Sequence, residues 1–329
     1  MPLLRLVHAL ERRRLVGGRS FQLGLFVRRP VGTGTAPLIA SATVQGQGPR
    51  AVVVGTGDRV DVAVGGNASP LPGGMSSQSG DGILPRHLAI VVLPLPSGTL
   101  LRVISLHPER GFAVLPPPES GAIPSVDVIE RLDTPSGAVV AWNSVRIAFG
   151  GLVLDVEAVG AGAGDVVDVL AVGEQLAFHA GPGLKAVGSA VASIAGPALD
   201  GAGGGGHAIP ALVASDEDAV TGALVLRARA DIYRVDVSVT DLLRGVLIGR
   251  SRRCMIGRGF DENDGLSRVH ALVVGLDEPG AGGVFAFDLA SRYGLRDVSR
   301  PSRLIPMARL DDGIGCLVYG AGYLTWEMS

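Results

Sequence analysis

Two histidines, His87 and His270, each precede an apolar run, and each is followed by a glycine 24 residues later, Gly111 and Gly294. Upstream of each histidine another glycine closes an apolar run: Gly55 after "AVVV" and Gly249 after "VLI". The first of these upstream intervals is longer, and the excess falls on the loop-like stretch "GNASPLPGGMSSQSGDG" (66–82). A chain that repeats one spacing at its two ends is most simply built from two copies of one unit, and this bounds its fold more tightly than any single motif.

The units read as β-structure. Residues 222–329 hold short β-branched or alternating runs: "ALVLRARA" (223–230), "YRVDVSV" (233–239), "RGVLIG" (244–249), "HALVVG" (270–275), "GGVFAFDL" (282–289), "GIGCLVYG" (313–320) and "GYLTWEM" (322–328). Gly, Asp, Pro and Asn separate them, the pattern of a β-sandwich. Residues 1–157 show the same habit in "FQLGLFV" (21–27), "RAVVVG" (50–55), "RVDVAVG" (59–65), "LAIVVLPL" (88–95), "LLRVISL" (100–106) and "SVRIAFGGLVLDVEA" (144–158). Aromatic residues make up only 4% of the chain, so the cores must be built from Val, Leu, Ile and Ala.

Between the copies, residues 158–221 open on "GAGAGD" and contain "GAGGGG", the composition of a linker, with a strand and a short helix expected within 166–199. Charge follows the same division. Residues 1–157 carry 14 basic and 11 acidic side chains, 158–221 carry 1 and 7, and 222–329 carry 14 and 13. The expected organisation is all-β: two sandwiches, 1–157 and 222–329, joined by an acidic Gly/Ala-rich linker, 158–221.

The chemistry-bearing signals are few. The formal net charge of −2 argues against a nucleic-acid partner. No uncharged apolar run reaches membrane-spanning length, and "MPLLRLVHALERRR" is too charged for a signal peptide. Two cysteines, Cys254 and Cys316, make no disulfide framework and read as buried thiols of a reducing, cytoplasmic compartment. "GTGDRV" (55–60) lacks the helix that a dinucleotide fingerprint needs, and the six histidines show no metal-ligand spacing. Ser267 with His270 is too local a pair, without an orienting carboxylate, to read as nucleophile and base. No cofactor and no enzymatic activity are expected.

"IGR" (248–250), "SRVH" (267–270) and "DLASRYG" (288–294) resemble the three signature stretches of forkhead-associated (FHA) domains. The resemblance covers about 100 residues at the C-terminal end and extends more weakly to residues 1–157. It implies a β-sandwich whose loops at one end hold a phosphothreonine peptide. It also implies that Arg250 and Ser267 contact the phosphate and that Arg268 assists, while His270, with Gly249 and Gly294, supports the loops from inside. A phosphothreonine carries about −1.5 to −2 charge and three strong acceptor oxygens, so converging guanidinium, hydroxyl and backbone N–H donors suit it. The implied partner is a phosphorylated protein, with a Ser/Thr kinase in the same cell.

One position departs from the family pattern. Tyr293 stands where the family has an asparagine that bonds the peptide backbone, and a phenol cannot offer the paired amide donor and acceptor. Arg292, Arg252, Arg253 and Arg258 keep this rim positive. In the first copy Thr56, Leu84 and Pro85 stand opposite Arg250, Ser267 and Arg268, so that copy is expected to keep the fold without the phosphate ligands. The competing expectation is a scaffold subunit that uses both domains without phosphate. Thr221, after the acidic "SDED", is a candidate phosphorylation site that would dock onto Arg250.

Overall fold

A computed structural model describes residues 19–30, 37–64, 83–95, 98–107, 110–115, 136–160, 166–171, 220–228, 231–257, 265–276, 283–319 and 322–328. They form four sheets, two at each end of the chain. The outer sheet of the first pair orders Leu38–Gln47, Ser20–Arg28, Leu152–Ala158, Ser144–Phe149 and Ala113–Val114. Its inner sheet orders Val166–Ala171, Ser136–Trp142, Gly98–Ser105, Leu88–Leu95, Arg50–Gly55 and Val62–Ala63. In the second pair the outer sheet orders Asp231–Ser238, Val220–Ala228, Gly322–Met328, Cys316–Tyr319, Leu295–Arg296 and Leu304–Ile305. The inner sheet orders Val246–Ile248, Ala271–Leu276, Gly283–Asp288 and Met307–Arg309.

Each pair is a β-sandwich with its own aliphatic core. In the first, Leu23, Leu25 and Val27 of the outer sheet meet Val52, Leu88, Ile90 and Val103 of the inner one. In the second, Leu224, Leu226 and Leu324 meet Val246, Ile248, Ala271, Val273 and Ala286. The repeat holds at the level of pairing. Val54 pairs in parallel with Val62 in the first copy, and Ile248 with Ile256 in the second. Each histidine donates its amide across to the residue before an upstream glycine, His87 to the Val54 carbonyl at 2.9 Å and His270 to the Ile248 carbonyl at 2.7 Å.

The two sandwiches pack together through their inner sheets. Side chains alternate along a strand, so the residues between those in the two cores face outward from each sandwich. On the first sandwich these are Ala51, Val53, Ala89, Val91 and Leu93; on the second they are Leu272, Val274, Phe285 and Phe287. Together they form a third buried apolar cluster. The layers therefore run outer, inner, inner, outer. Two arginines of the first sandwich cross this seam. The buried Arg102 donates from Nη1 to the Gly275 carbonyl at 2.8 Å, and Arg86 reaches two carbonyls considered below.

"SVRIAFGGLVLDVEA" is a hairpin of two strands, turned at Gly150 and Gly151, whose φ angles of 52° and 74° a side chain rarely allows. Other elements differ from the sequence reading. Val166–Ala171, inside the stretch read as linker, pairs with Ser136–Trp142 at the edge of the first inner sheet, so that sandwich runs past residue 157. Residues 172–219, and with them the expected helix, lie outside the described residues, as do 66–82 and Arg258. Leu38–Gln47 was not foreseen because an edge strand in "LIASATVQGQ" carries too little apolar alternation. The run "YRVDVSV" stops at Ser238 because a short helix, Val239–Arg244, begins there. The Ser238 hydroxyl accepts the Asp241 amide at 3.2 Å, and the Asp241 carboxylate accepts the Ser238 amide at 2.7 Å, a capping box. Among the described residues, no helix is long and apolar enough to cross a membrane.

Candidate functional site

Three loops of the second sandwich converge at one rim: the turn after Val246–Ile248, the loop before Ala271–Leu276 and the loop after Gly283–Asp288. Backbone bonds stitch the first two together. The Arg250 amide donates to the Ser267 carbonyl at 3.2 Å and the Ser251 amide to the Arg268 carbonyl at 2.9 Å. Gly249 makes this possible. A Cβ there would lie 2.5 Å from the Arg268 carbonyl oxygen, and the residue adopts φ 155°. Gly55 does the same in the first copy, where a Cβ would lie 2.4 Å from the Pro85 carbonyl oxygen.

His270 braces the second and third loops from inside. It is fully buried. Its Nδ1 accepts the Ser267 amide at 3.2 Å, so the ring proton sits on Nε2, which faces the Gly294 carbonyl at 3.3 Å and Ser291 Oγ at 3.1 Å. Ser291 Oγ in turn donates to Asp288 Oδ1 at 2.7 Å and accepts the Gly294 amide at 2.9 Å. The histidine contacts the backbone of Ser267 and leaves its hydroxyl alone. Sequence reading gave Ser291 and Asp288 no role; their i, i+3 spacing at a strand end was the available signal.

The Ser267 hydroxyl oxygen accepts the Arg292 amide at 3.0 Å, which fixes it at the rim while its own proton stays available to an acceptor. Arg268 and Arg292 are exposed and Arg250 is half-buried. Tyr293 is 39% exposed, with the Arg292 guanidinium 5.4 Å from its ring centre, so a cation covers the ring at the surface. The structure thus brings Arg250, Ser267, Arg268 and Arg292 to one rim. Thr221, by contrast, opens the strand Val220–Ala228, with its hydroxyl donating to the Val237 carbonyl at 3.2 Å.

The first copy keeps the scaffold without these ligands. The Thr56 amide donates to the Leu84 carbonyl at 3.1 Å, Gly57 to Pro85 at 3.0 Å, and Leu84 to His87 Nδ1 at 3.3 Å, bond for bond with the second copy. Leu84 has no hydroxyl and Thr56 no cation. His87 Nε2 faces the Gly111 backbone without a well-formed hydrogen bond. Ser105, in the place of Asp288, has its hydroxyl on the His107 carbonyl at 3.0 Å.

Burial pushes both imidazoles down to about 4, with nearby arginine charge adding to the effect. The sign for stability follows directly. Both rings are neutral in the fold, whereas an unfolded histidine takes up its proton near pH 6.5, so acid favours the unfolded chain. The unfolding free energy should fall as pH drops from about 6.5 towards 4, by up to about 1.4 kcal/mol per pH unit for each ring. Asp155 and Asp288, which burial pushes upward, act in the opposite sense as they protonate. Denaturant titrations at pH 7, 6, 5 and 4.5 on the wild type and on Asp155→Asn/Asp288→Asn, which lacks the opposing carboxylates, measure this; a flat profile in that variant would contradict the buried neutral state of both rings.

Cys254 and Cys316 are buried free thiols. Burial pushes Cys316 up to about 12, and Cys254 Sγ donates to the Arg268 carbonyl at 3.3 Å, so the first is an inert core thiol and the second supports the rim. Among the described residues no three His, Cys, Asp or Glu side chains converge as metal ligands. No family model matches the chain, and no curated protein or solved structure matches it.

Proposed function

We propose that the chain is a non-enzymatic adaptor whose second sandwich is an FHA domain that binds a phosphothreonine on a protein partner. The first sandwich, a degenerate copy of the same domain, serves as its support. The observation that carries the reading is the joint placement of Arg250, Ser267 and Arg268 on two loops that backbone bonds stitch together, the second of them braced by His270. A guanidinium at a strand end, a hydroxyl with its proton free and a flanking cation form a convergent donor set for a phosphate dianion. Arg292 lengthens the positive rim, and Tyr293 presents a stacking face where the family has an amide. A Ser/Thr kinase would supply the modification, and the reading places the chain in the cytoplasm.

The scaffold alternative draws on the large apolar seam through which the two sandwiches pack. Calorimetry of the full chain with matched phosphorylated and unphosphorylated threonine peptides separates the two. The adaptor reading expects binding only to the phosphorylated form. It also expects Tyr293→Asn to tighten that binding, because an amide regains the backbone contact of the peptide. Equal affinity for both forms across a diverse peptide library would establish the scaffold instead.

A further inference from the structure

The seam between the sandwiches carries an arginine group that neither core explains. Arg86 of the first sandwich donates from Nη1 to the Val269 carbonyl and from Nη2 to the Ala290 carbonyl at 2.6 Å. Val269 precedes His270, and Ala290, at φ 52°, opens the loop that carries Arg292. One side chain of the first copy thus holds two of the three rim loops of the second.

Around this crossing stand three further cations. Arg253 lies in the turn closed by the Cys254 amide on the Ser251 carbonyl at 2.9 Å, and that turn is bonded to the Arg268 backbone. Arg59 lies in the equivalent turn of the first copy, tied through Gly57 to Pro85 beside Arg86. Arg59 and Arg253 occupy the same place in the repeat, each three residues after the position of Arg250 or its counterpart Thr56. The first copy has lost the residues opposite Arg250, Ser267 and Arg268, yet it keeps this arginine.

Burial lowers the pKa of Arg86, and repulsion from Arg268 and Arg59 lowers it further, against the pull of Asp288. Burial likewise lowers Arg253, with Arg86 and Arg268 adding to the effect. Arg86 therefore lies within electrostatic reach of Arg59, Arg253 and Arg268, and Arg253 within reach of Arg268. Among the described residues no carboxylate forms an ion pair with Arg59, Arg253 or Arg268. Like charges held close by backbone ties and an apolar seam raise the local positive potential, which a bound anion would relieve.

We propose that Arg59, Arg253 and Arg268, gathered around Arg86 at the seam, form a second anion site. It takes an acidic or phosphorylated side chain flanking the phosphothreonine of the same partner peptide. The inference rests on the phosphothreonine reading and deepens it: the partner is a multiply anionic segment, and both copies of the repeat read it. Arg86 is a positioning residue, since its guanidinium is engaged by carbonyls, while Arg59, Arg253 and Arg268 present the donors.

The test uses the full chain and three fluorescent peptides of one backbone sequence: phosphothreonine with neutral flanks, phosphothreonine with glutamates on both sides, and unphosphorylated threonine with the same glutamates. The variant Arg59→Gln removes the seam cation that the first sandwich supplies, outside the rim that gathers Arg250, Ser267, Arg268 and Arg292. It should unfold no earlier than the wild type, because it relieves like-charge repulsion. The acidic phosphopeptide should bind about tenfold more tightly than the neutral one, the effect of one charge-assisted hydrogen bond. The variant should erase that gain and leave the neutral phosphopeptide unchanged.

If both phosphopeptides bind equally and the variant changes neither, the seam site falls and the phosphothreonine reading stands. If the two glutamate-flanked peptides bind equally with and without the phosphate, and Arg59→Gln weakens both, the phosphothreonine reading falls and the seam remains as an anion site. Absence of binding by all three overturns both.

Discussion

Phe287→Ala is expected to lower the unfolding free energy of the whole chain by about 3–5 kcal/mol, the cost of truncating a buried phenylalanine. The residue is fully buried, and its ring lies in the cluster that Leu272 and Val274 share with Ala89 and Val91 of the other sandwich. The cavity would open between two units, with an inner sheet on each side, so neither sandwich can close it by local adjustment. The same packing couples the two units in unfolding. The chain has two tryptophans, Trp142 in the first sandwich at the seam and Trp326 in the core of the second. Single Trp→Phe variants make each the sole reporter of its own unit. Both reporters should change at one denaturant midpoint, and both midpoints should shift together on Phe287→Ala. Two separate midpoints, or a loss below about 1 kcal/mol, would show that the seam carries little of the stability. Ile232, 65% exposed, supplies the control: Ile232→Ala should cost a small fraction of the Phe287 effect.

Arg250→Ala should weaken phosphothreonine-peptide affinity by about one to two decades. A hydrogen bond to a charged group contributes roughly 1.5–3 kcal/mol, and about 1.4 kcal/mol is tenfold. Ser267→Ala should cost less, because its hydroxyl gives one bond and no charge, although it also frees the Arg292 amide that it now accepts. Neither change should lower the unfolding midpoint appreciably, since both side chains stand at the rim. His270→Ala should behave differently: it removes the acceptor of the Ser267 amide and the contacts to Gly294 and Ser291, so stability and binding should fall together. Calorimetry and thermal unfolding on the same preparations distinguish the two classes. An Arg250→Ala chain with unchanged phosphopeptide affinity would remove the pocket from consideration.

Much of this arrangement was legible in the sequence. Spacing alone paired His87 with His270 and Gly111 with Gly294, because a residue that braces a loop from inside must keep its distance from the backbone it supports. Gly55 and Gly249 were legible for a related reason: each lies where another backbone passes within a Cβ's reach. The loops carrying Arg250, Ser267 and Arg268 were expected from the resemblance of "IGR", "SRVH" and "DLASRYG" to the FHA signature stretches. Less was visible where the signal is weak by nature. Leu38–Gln47 is a sheet-edge strand, for which a half-exposed backbone demands little of the side chains; a strand was expected within 166–199, but not that Val166–Ala171 would pair at the edge of the first sandwich. Ser291 and Asp288 form a network through one hydroxyl and one carboxylate, residue types common in any turn.

The sequence by itself determined two copies of a β unit and the loops that gather on the second. It also showed which strands carry apolar residues on both faces. "YRVDVSV" alternates, and its strand lies in an outer sheet. "LAIVVLPL" and "HALVVG" do not, and theirs are inner strands covered on both sides. What such a run cannot say is what covers its second face: burial is written in composition, the identity of the covering surface is not. Only the tertiary structure decided that the two inner sheets cover each other. The same packing brought Arg59 and Arg86 beside Arg253 and Arg268, because charges far apart in the chain become neighbours only through the sheets that carry them.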